Sequence, residues 1–279
     1  MTHDAGLIDL TARVEHAEAV IRRTMDALAA APGDAHAVFG GVTAFISRGI
    51  PNTFFNRAIG LSEQDIGHIP AIAKWFTNHG IPPRFDLAPP RAGTDVRTAL
   101  REAGCAEETM PGLTRRLLAG SVGGQPSKPT SIRIENAVGP LLESFLDIQM
   151  QTWPEDGGTR VERLDRLRRT ASAPGLTRLV AIVEGEVAGT AALHVVAGVG
   201  WLNSGATVQR HRGRGVQTAL IRHRIDLARQ LGADLVCSLV AAGSASERNL
   251  RRGGLEPLCD RELWLPPDWT DHPFYRDAG

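Results

Sequence analysis

Residues 177–208, TRLVAIVEGEVAGTAALHVVAGVGWLNSGATV, restrict the fold more than any other stretch of this chain. They form three runs rich in Val, Ala and Leu, divided at Glu184-Gly185-Glu186 and at Ala197-Gly198-Val199-Gly200. Glycine-bearing breaks between such runs are hairpin turns, so the stretch predicts a meander of three antiparallel strands. RHRGRG follows at 210–215, and beyond it Val216, Ala219, Leu220, His223, Leu227 and Leu231 keep helical spacing up to a stop at Gly232. The chain therefore leaves a β-meander through a basic glycine turn directly into a helix.

Around this segment the pattern predicts a strand at IRIE, a helix at PLLESFLDIQMQTW, a polar loop PEDGGTR and a helix at VERLDRLRR. After it come a strand ADLVCSLVA, a short helix ending at Gly253-Gly254 and a last strand RELWL. Residues 120–131, GSVGGQPSKPTS, lack large apolar side chains and read as a linker. The division is thus a first domain over 1–119, the linker at 120–131 and a second domain over 132–279.

The first half ends in an echo of the second. FFNRAIGL reads as a strand, SEQDIGHIPAIAKWFTNHG as one helix, PRFDLAP as a strand, DVRTALREAG as a helix and GLTRRLL as a strand. At an offset of about 150 positions ALREAGC falls on NLRRGGL and PRFDLAP on the strand around ADLVCSL, the mark of a diverged internal repeat. Two unrelated units sharing common α/β grammar are the alternative. At that offset RHRGRG falls on GLSEQD, residues 60–65, where Glu63 and Asp65 stand and the glycine pair is missing.

A glycine turn between a strand and a helix can direct several backbone N–H groups and the helix dipole at one point, which suits a phosphate. Gly213 and Gly215 would let the backbone approach it, and Arg210, Arg212 and Arg214 could pair with its oxygens. The Gly-Lys-Ser/Thr of a P-loop and the three glycines of a Rossmann fingerprint are missing. The arginines alone say little. Lysine occurs only at Lys74 and Lys128, so arginine is the default cation here, and 31 basic residues balance 31 acidic ones. That neutrality argues against a dedicated nucleic-acid binder.

The pattern Arg210-x-x-Gly213-x-Gly215, after a meander and opening a helix, resembles the acyl-CoA signature of the GNAT superfamily of acyltransferases. The resemblance spans roughly residues 130–265 and implies an α+β fold, a mostly antiparallel sheet flanked by helices. With the repeat it implies two tandem domains, the first without a cofactor loop because Glu63 and Asp65 would repel a pyrophosphate. It implies acetyl-CoA as cofactor, with Thr207 and Val208 meeting the pantetheine and acyl carbonyl and Arg210, Arg212, Gly213, Arg214, Gly215 and Val216 at the pyrophosphate. The Val208 N–H would be the oxyanion donor. In SASERNLRRGGL the resemblance points to Ser246 and Asn249 on the CoA arm, with helix capping by Ser244 or Ser246 as the plain alternative.

The reaction this implies is N-acetyl transfer to the amine of a small molecule by direct attack in a ternary complex. The family's usual tyrosine acid has no counterpart, since its position is Leu250 and the single tyrosine is Tyr275. Catalytic candidates are Glu155, with its neighbour Asp156, as base or attractor of a cationic amine, and Ser246 as proton donor, with Tyr275 or water as substitutes. His194 in AALHVVA reads as a strand histidine before it reads as a base. A non-catalytic CoA-binding regulator, or transfer from a tRNA-linked donor using a basic surface of Arg222, Arg224, Arg229, Arg248, Arg251 and Arg252, are the other readings. No metal spacing occurs among Cys105, Cys237 and Cys259, which read as buried thiols of a reducing compartment. With no signal-peptide pattern in MTHDAGLIDL and no membrane-length apolar run, the expectation is a cytoplasmic monomer or homodimer.

Overall fold

A computed structural model describes residues 3–28, 34–47, 55–108, 115–123, 131–152, 159–170 and 173–267. The chain divides into two compact units, residues 1–117, 155–157 and 258–279, and residues 118–154 and 158–257. The first begins with α1 (His3–Leu28), β1 (Ala35–Phe39), β2 (Val42–Ile46) and β3 (Arg57–Ile59). A 3-10 segment, Glu63–His68, then leads to α2 (Ile69–Asn78), β4 (Phe85–Leu87), α3 (Thr94–Glu102) and β5 (Ala106–Glu107). β6 (Arg115–Ser121) carries the chain into the second unit, with β7 (Arg133–Asn136), α4 (Pro140–Thr152), α5 (Arg160–Arg169), β8 (Leu176–Val183), β9 (Glu186–Val196) and β10 (Val199–Thr207). There follow α6 (Val216–Gln230), β11 (Leu235–Ala241), α7 (Ala245–Arg252), β12 (Glu256–Asp260) and β13 (Glu262–Leu265).

Two mixed sheets result, in the orders β1-β2-β3-β4-β13-β5 and β12-β6-β11-β10-β9-β8-β7. Read from β1 and from β8, both follow one plan: two antiparallel steps, then a parallel step with a helix as crossover, β3 to β4 in one and β10 to β11 in the other. β13 and β6 hold the same place in the two orders. Each follows directly in sequence on the edge strand of the opposite sheet, so the chain exchanges its final strands reciprocally.

The contact division at 117/118 lies close to the boundary expected at 119, but the first unit also takes in residues from 258 onward. The division falls inside β6 and β12, and RELWL, assigned from sequence to the second half, is β13, paired with β4 and β5. Its Trp264 is buried with Phe76, Phe85 and Leu100 in the first core. Strand pairing is set by such long-range burial, which a local apolar pattern does not contain. The helix expected over residues 62–80 is also divided. Pro70 lacks the N–H that a continuous helix would need there but fits the first turn of α2, so the residues before it wind as 3-10.

In the second unit, strand alternation separates two faces. Val180 and Ile182 pack with Phe145 of α4, whereas Leu179 and Ala181 pack with Val216 and Leu220 of α6. Both hairpins are two-residue turns with positive φ, Glu184-Gly185 at 54° and 84° and Ala197-Gly198 at 48° and 78°. Val199 and Gly200, expected within the second turn, already pair with Val196 and Val195. The buried face of α6 is Val216, Ala219, Leu220, Ile221, Arg224 and Ala228, while Leu231 is exposed. The sequence face was therefore rotated, because Arg224 counted as polar although it points inward.

Candidate active site

The parallel pair β10–β11 is joined in register only at Val199, Gly200 and Trp201, opposite Leu235, Val236 and Cys237. The Ser238 hydroxyl then donates to the Leu202 carbonyl at 2.8 Å, and beyond this point the register of the pair ends. β10 bulges there: its register against β9 shifts between Asn203 and Ala206, and Ser204 takes φ 51°. The bulge is held from the α4 side by Gln149, whose Nε2 donates to the Thr190 hydroxyl at 2.7 Å and to the Ser204 carbonyl at 3.0 Å. From the α6 side Arg224 donates to the carbonyls of Asn203 and Ala192. Gln149 was missed in sequence, since a glutamine in an amphipathic helix carries no sign that it braces a strand.

After β10 the chain makes a short 3-10 turn, Gln209–His211, and enters α6 through Arg212–Gly215. Gly213 and Gly215 have φ 75° and 80°, a left-handed conformation that glycine adopts without a Cβ penalty. A methyl added at either glycine would meet nothing within 4 Å, so the turn presents bare backbone to open space. Among the described residues no side chain caps the α6 N-terminus, and the Ala219 N–H reaches back to the Gly215 carbonyl at 2.9 Å. Unsatisfied first-turn N–H groups, a positive dipole and glycines on the approach fit the pyrophosphate of a CoA thioester.

The three arginines of this loop are not equivalent. Arg210 donates to Glu186 at 2.9 Å, and Arg214 forms a fork with Glu184, both carboxylates standing at the β8–β9 turn. His211, buried, also lies 3.3 Å from Glu186. Arg212 makes no ion pair among the described residues and is exposed. The sequence expectation was that all three could pair with phosphate or raise the local potential; in this structure Arg210 and Arg214 are paired with the carboxylates of the hairpin turn.

Two further expectations are corrected. The Val208 N–H donates to the Ala188 carbonyl at 3.0 Å and is spent on the β9–β10 ladder, so it is not an oxyanion donor. Arg224 is 2% exposed, which removes it from the supposed basic surface. Thr207 lies at the end of β10, its hydroxyl donating to Gln217 Oε1 at 3.4 Å. Val216 is buried in the core beneath the turn. At α7 it is Ser244, not Ser246, that caps, accepting from the Glu247 N–H at 3.1 Å. Ser246 stays half-buried without a capping role, and the Asn249 side chain accepts from Arg252. Leu250, at the family's tyrosine position, is buried core.

His194 is buried, its Nε2 3.0 Å from the Pro174 carbonyl, and burial holds its pKa below the ordinary 6.5 against that hydrogen bond. It is a strand histidine. Glu155, Asp156 and Tyr275 lie outside the described residues. Cys105 and Cys237 are buried and Cys259 half-buried, none of them in a disulfide, with Cys105 and Cys259 raised to about 11 by burial. Among the described residues no group of His, Cys, Asp and Glu is placed to hold a metal, and no helix is long and apolar enough to cross a membrane.

The corresponding loop of the first unit is built oppositely. The Asp65 carboxylate accepts from the Gly41 N–H at 2.7 Å, the Ser62 N–H at 3.2 Å and the Ser62 hydroxyl at 2.6 Å. Burial alone would raise its pKa, but these hydrogen bonds outweigh burial and hold it below 3.8. The donors an anion would need are taken by the protein's own anion.

Comparison with known proteins agrees with this geometry. Residues 142–251 match the acetyltransferase (GNAT) family. No curated protein matches the chain. Among solved structures, a GCN5-related N-acetyltransferase from Kribbella flavida is 16% identical with a TM-score of 0.63, the alignment covering 92% of this chain and 95% of that one. A tandem GNAT protein from the clavulanic acid biosynthesis pathway is 14% identical with a TM-score of 0.59, covering 95% of both chains. A GCN5-related N-acetyltransferase from Sphaerobacter thermophilus is 16% identical with a TM-score of 0.58, covering 81% of this chain and 76% of that one. At these identities the likeness is one of fold.

Proposed function

Residues 142–251 of this chain belong to the GNAT family of acetyltransferases, and from that premise we propose that the second unit transfers an acetyl group from acetyl-CoA to the amine of a small molecule. The observation that carries this reading is the uncapped entrance to α6 behind two left-handed glycines. The backbone N–H groups of the turn would hold the pyrophosphate, helped by Arg212, which makes no ion pair among the described residues. The separation of β10 from β11 beyond Trp201 and Cys237 would admit the pantetheine arm alongside Thr207.

The thioester supplies an electrophilic carbonyl carbon and a thiolate leaving group. The amine nitrogen bonds to that carbon, the C–S bond breaks, and the proton lost by the nitrogen balances the one gained by the thiolate. A thiol pKa of about 8.5 lets the sulfur leave with little help, so the leucine at position 250 does not stop the reaction. The chain holds the two reactants in one geometry and keeps the bulged strand rigid through Gln149 and Arg224. Ser246 and Glu155 stay the candidates for proton transfer, and the first unit is proposed as a GNAT-like domain without a cofactor loop.

The test is calorimetric titration with CoA and acetyl-CoA, followed by thiol release across a panel of primary amines. Micromolar binding with amine-dependent thiol release supports the reading. Binding without turnover would make the chain a CoA-binding regulator, and no binding would remove the acyltransferase reading altogether.

A further inference from the structure

Arg224 is a buried charge of the second unit that is met by carbonyls alone. Its Nε donates to the Leu220 carbonyl at 3.1 Å, and its Nη1 to the carbonyls of Ala192 at 3.2 Å and Asn203 at 3.1 Å. Among the described residues no carboxylate pairs with it. Burial alone pulls the guanidinium down to about 9, which leaves it cationic at neutral pH. Isolated buried charges are costly and are normally paired.

Its Nη2 has no protein acceptor among the described residues, and it faces the bulge. A methyl placed on Gly205 would lie 3.8 Å from Arg224 Nη2 and 3.2 Å from Gln217 Nε2. The Gln217 Nε2 likewise lacks a protein acceptor among the described residues, while its Oε1 accepts from Thr207. Two unpartnered donors, one carrying a buried positive charge, thus converge beside the bare Cα of Gly205, where β10 leaves β11. A planar group with two oxygens and one negative charge matches two donors and one cation.

We infer that Arg224 Nη2 and Gln217 Nε2 form a subsite for a carboxylate carried by one of the two substrates. The inference rests on the acyltransferase reading of this unit and names a substrate class within it. The carboxylate comes either from the acyl end of a dicarboxylic thioester or from an acidic amine acceptor, and two arms of one experiment separate these sources.

In the first arm the full chain is titrated calorimetrically with CoA, acetyl-CoA, malonyl-CoA and succinyl-CoA. In the second, acetyl-CoA turnover is compared for amino acids and their C-terminal amides. The expected result is a preference for the carboxylate of about tenfold or more in one arm, as one charge-assisted contact gives. Arg224→Gln should collapse that preference. Because this change also removes donors that hold the bulge, Gly205→Ala supplies a second variant, a methyl that crowds the approach to both donors while leaving Arg224 intact, with thermal melts to verify folding. A preference absent in both arms, or one that survives both variants, would overturn the subsite while CoA binding upholds the parent reading. Failure of CoA itself to bind would overturn both.

Discussion

The two loops that enter the crossover helices, GLSEQD and RHRGRG, stand at the same point of the two sheet orders and solve the same electrostatic problem in opposite ways. A chain leaving a strand for a helix exposes backbone N–H groups that need an acceptor. In the first unit Asp65 is that acceptor, folded back onto Gly41 and Ser62. In the second, no side chain among the described residues caps the helix entrance behind Gly213 and Gly215, and Arg210 and Arg214 are paired with Glu186 and Glu184. One loop is closed by a carboxylate of its own unit; the other is open at its entrance among the described residues.

Buried cations repeat the contrast. Arg261 in the first unit meets Glu18 and Asp86, each at 2.6 Å, and although burial opposes its charge these carboxylates raise its pKa above the ordinary value. Arg224 in the second is met by carbonyls alone. The fully buried Arg261 is thus closed on carboxylates of its own unit. The second leaves both a donor cluster and a cation open.

The largest expected effect comes from imposing the first loop's solution on the second. Gly215→Glu brings a carboxylate to the α6 entrance and a Cβ to a left-handed backbone. Loss of two charge-assisted contacts at about 1.5–3 kcal/mol each predicts CoA binding weakened by about 100-fold or more. Calorimetry reads the affinity and circular dichroism the fold. Binding within tenfold of wild type would break the equivalence drawn between the loops.

The reverse operation is smaller. Asp65→Asn removes the charged acceptor of Gly41 and Ser62, and should destabilise the first unit by about 1–3 kcal/mol in denaturant titrations without weakening CoA binding. The sign of its pH dependence follows from its lowered pKa: the contribution is fully present above 3.8 and is lost as the pH falls through the folded value. Wild type and variant should therefore converge in strong acid. An unchanged stability would show that Asp65 is incidental to the loop.

Much of this was readable before the structure. The meander, both hairpin turns and the glycine entrance of α6 are local, and local chemistry specified them, down to positive φ at Gly185 and Gly198. The sequence offered Asp65 only as a charge that would repel a ligand, whereas in the structure its carboxylate accepts from the Ser62 N–H of its own loop and from Gly41 of the β1–β2 turn. What escaped were contacts between residues distant in sequence: Trp264 joining the first core, Gln149 reaching Ser204 and Arg224 pointing under the bulge. Arg224 gave one sign, its spacing four residues after Leu220 on the buried face of the helix. Residue type outweighed that spacing, since arginine is normally a surface residue.

Within the RHRGRG loop the contrast sharpens to single arginines. Arg212→Ala removes the unpaired cation and should weaken CoA binding about tenfold, with a shallower dependence on salt. Arg210→Ala removes a cation already matched by Glu186 and should change the affinity by no more than about twofold. Equal losses in competition assays with a fluorescent CoA analogue would mean that the hairpin carboxylates release their arginines when ligand binds.

The smallest effect separates the units along the pH axis. His194 is kept neutral chiefly by burial, with its pKa below 6.5, so the unfolded chain takes up a proton before the folded one does. Its contribution to stability is complete above 6.5 and declines as the pH falls through that value toward the folded pKa, and His223 shifts in the same direction. Asp65 contributes nothing to the slope in this range, because it is ionised in both states well above 3.8. Hydrogen exchange resolved by peptide should show protection of β9 falling slightly between about pH 7.5 and about pH 5.5, after correction for the intrinsic exchange rate, while β1 and β2 hold theirs. His194→Gln should flatten most of the β9 response. An equal loss in both units would trace the acid sensitivity to a process shared by the whole chain, and the neutral histidine of the second sheet would lose its part in the difference between them.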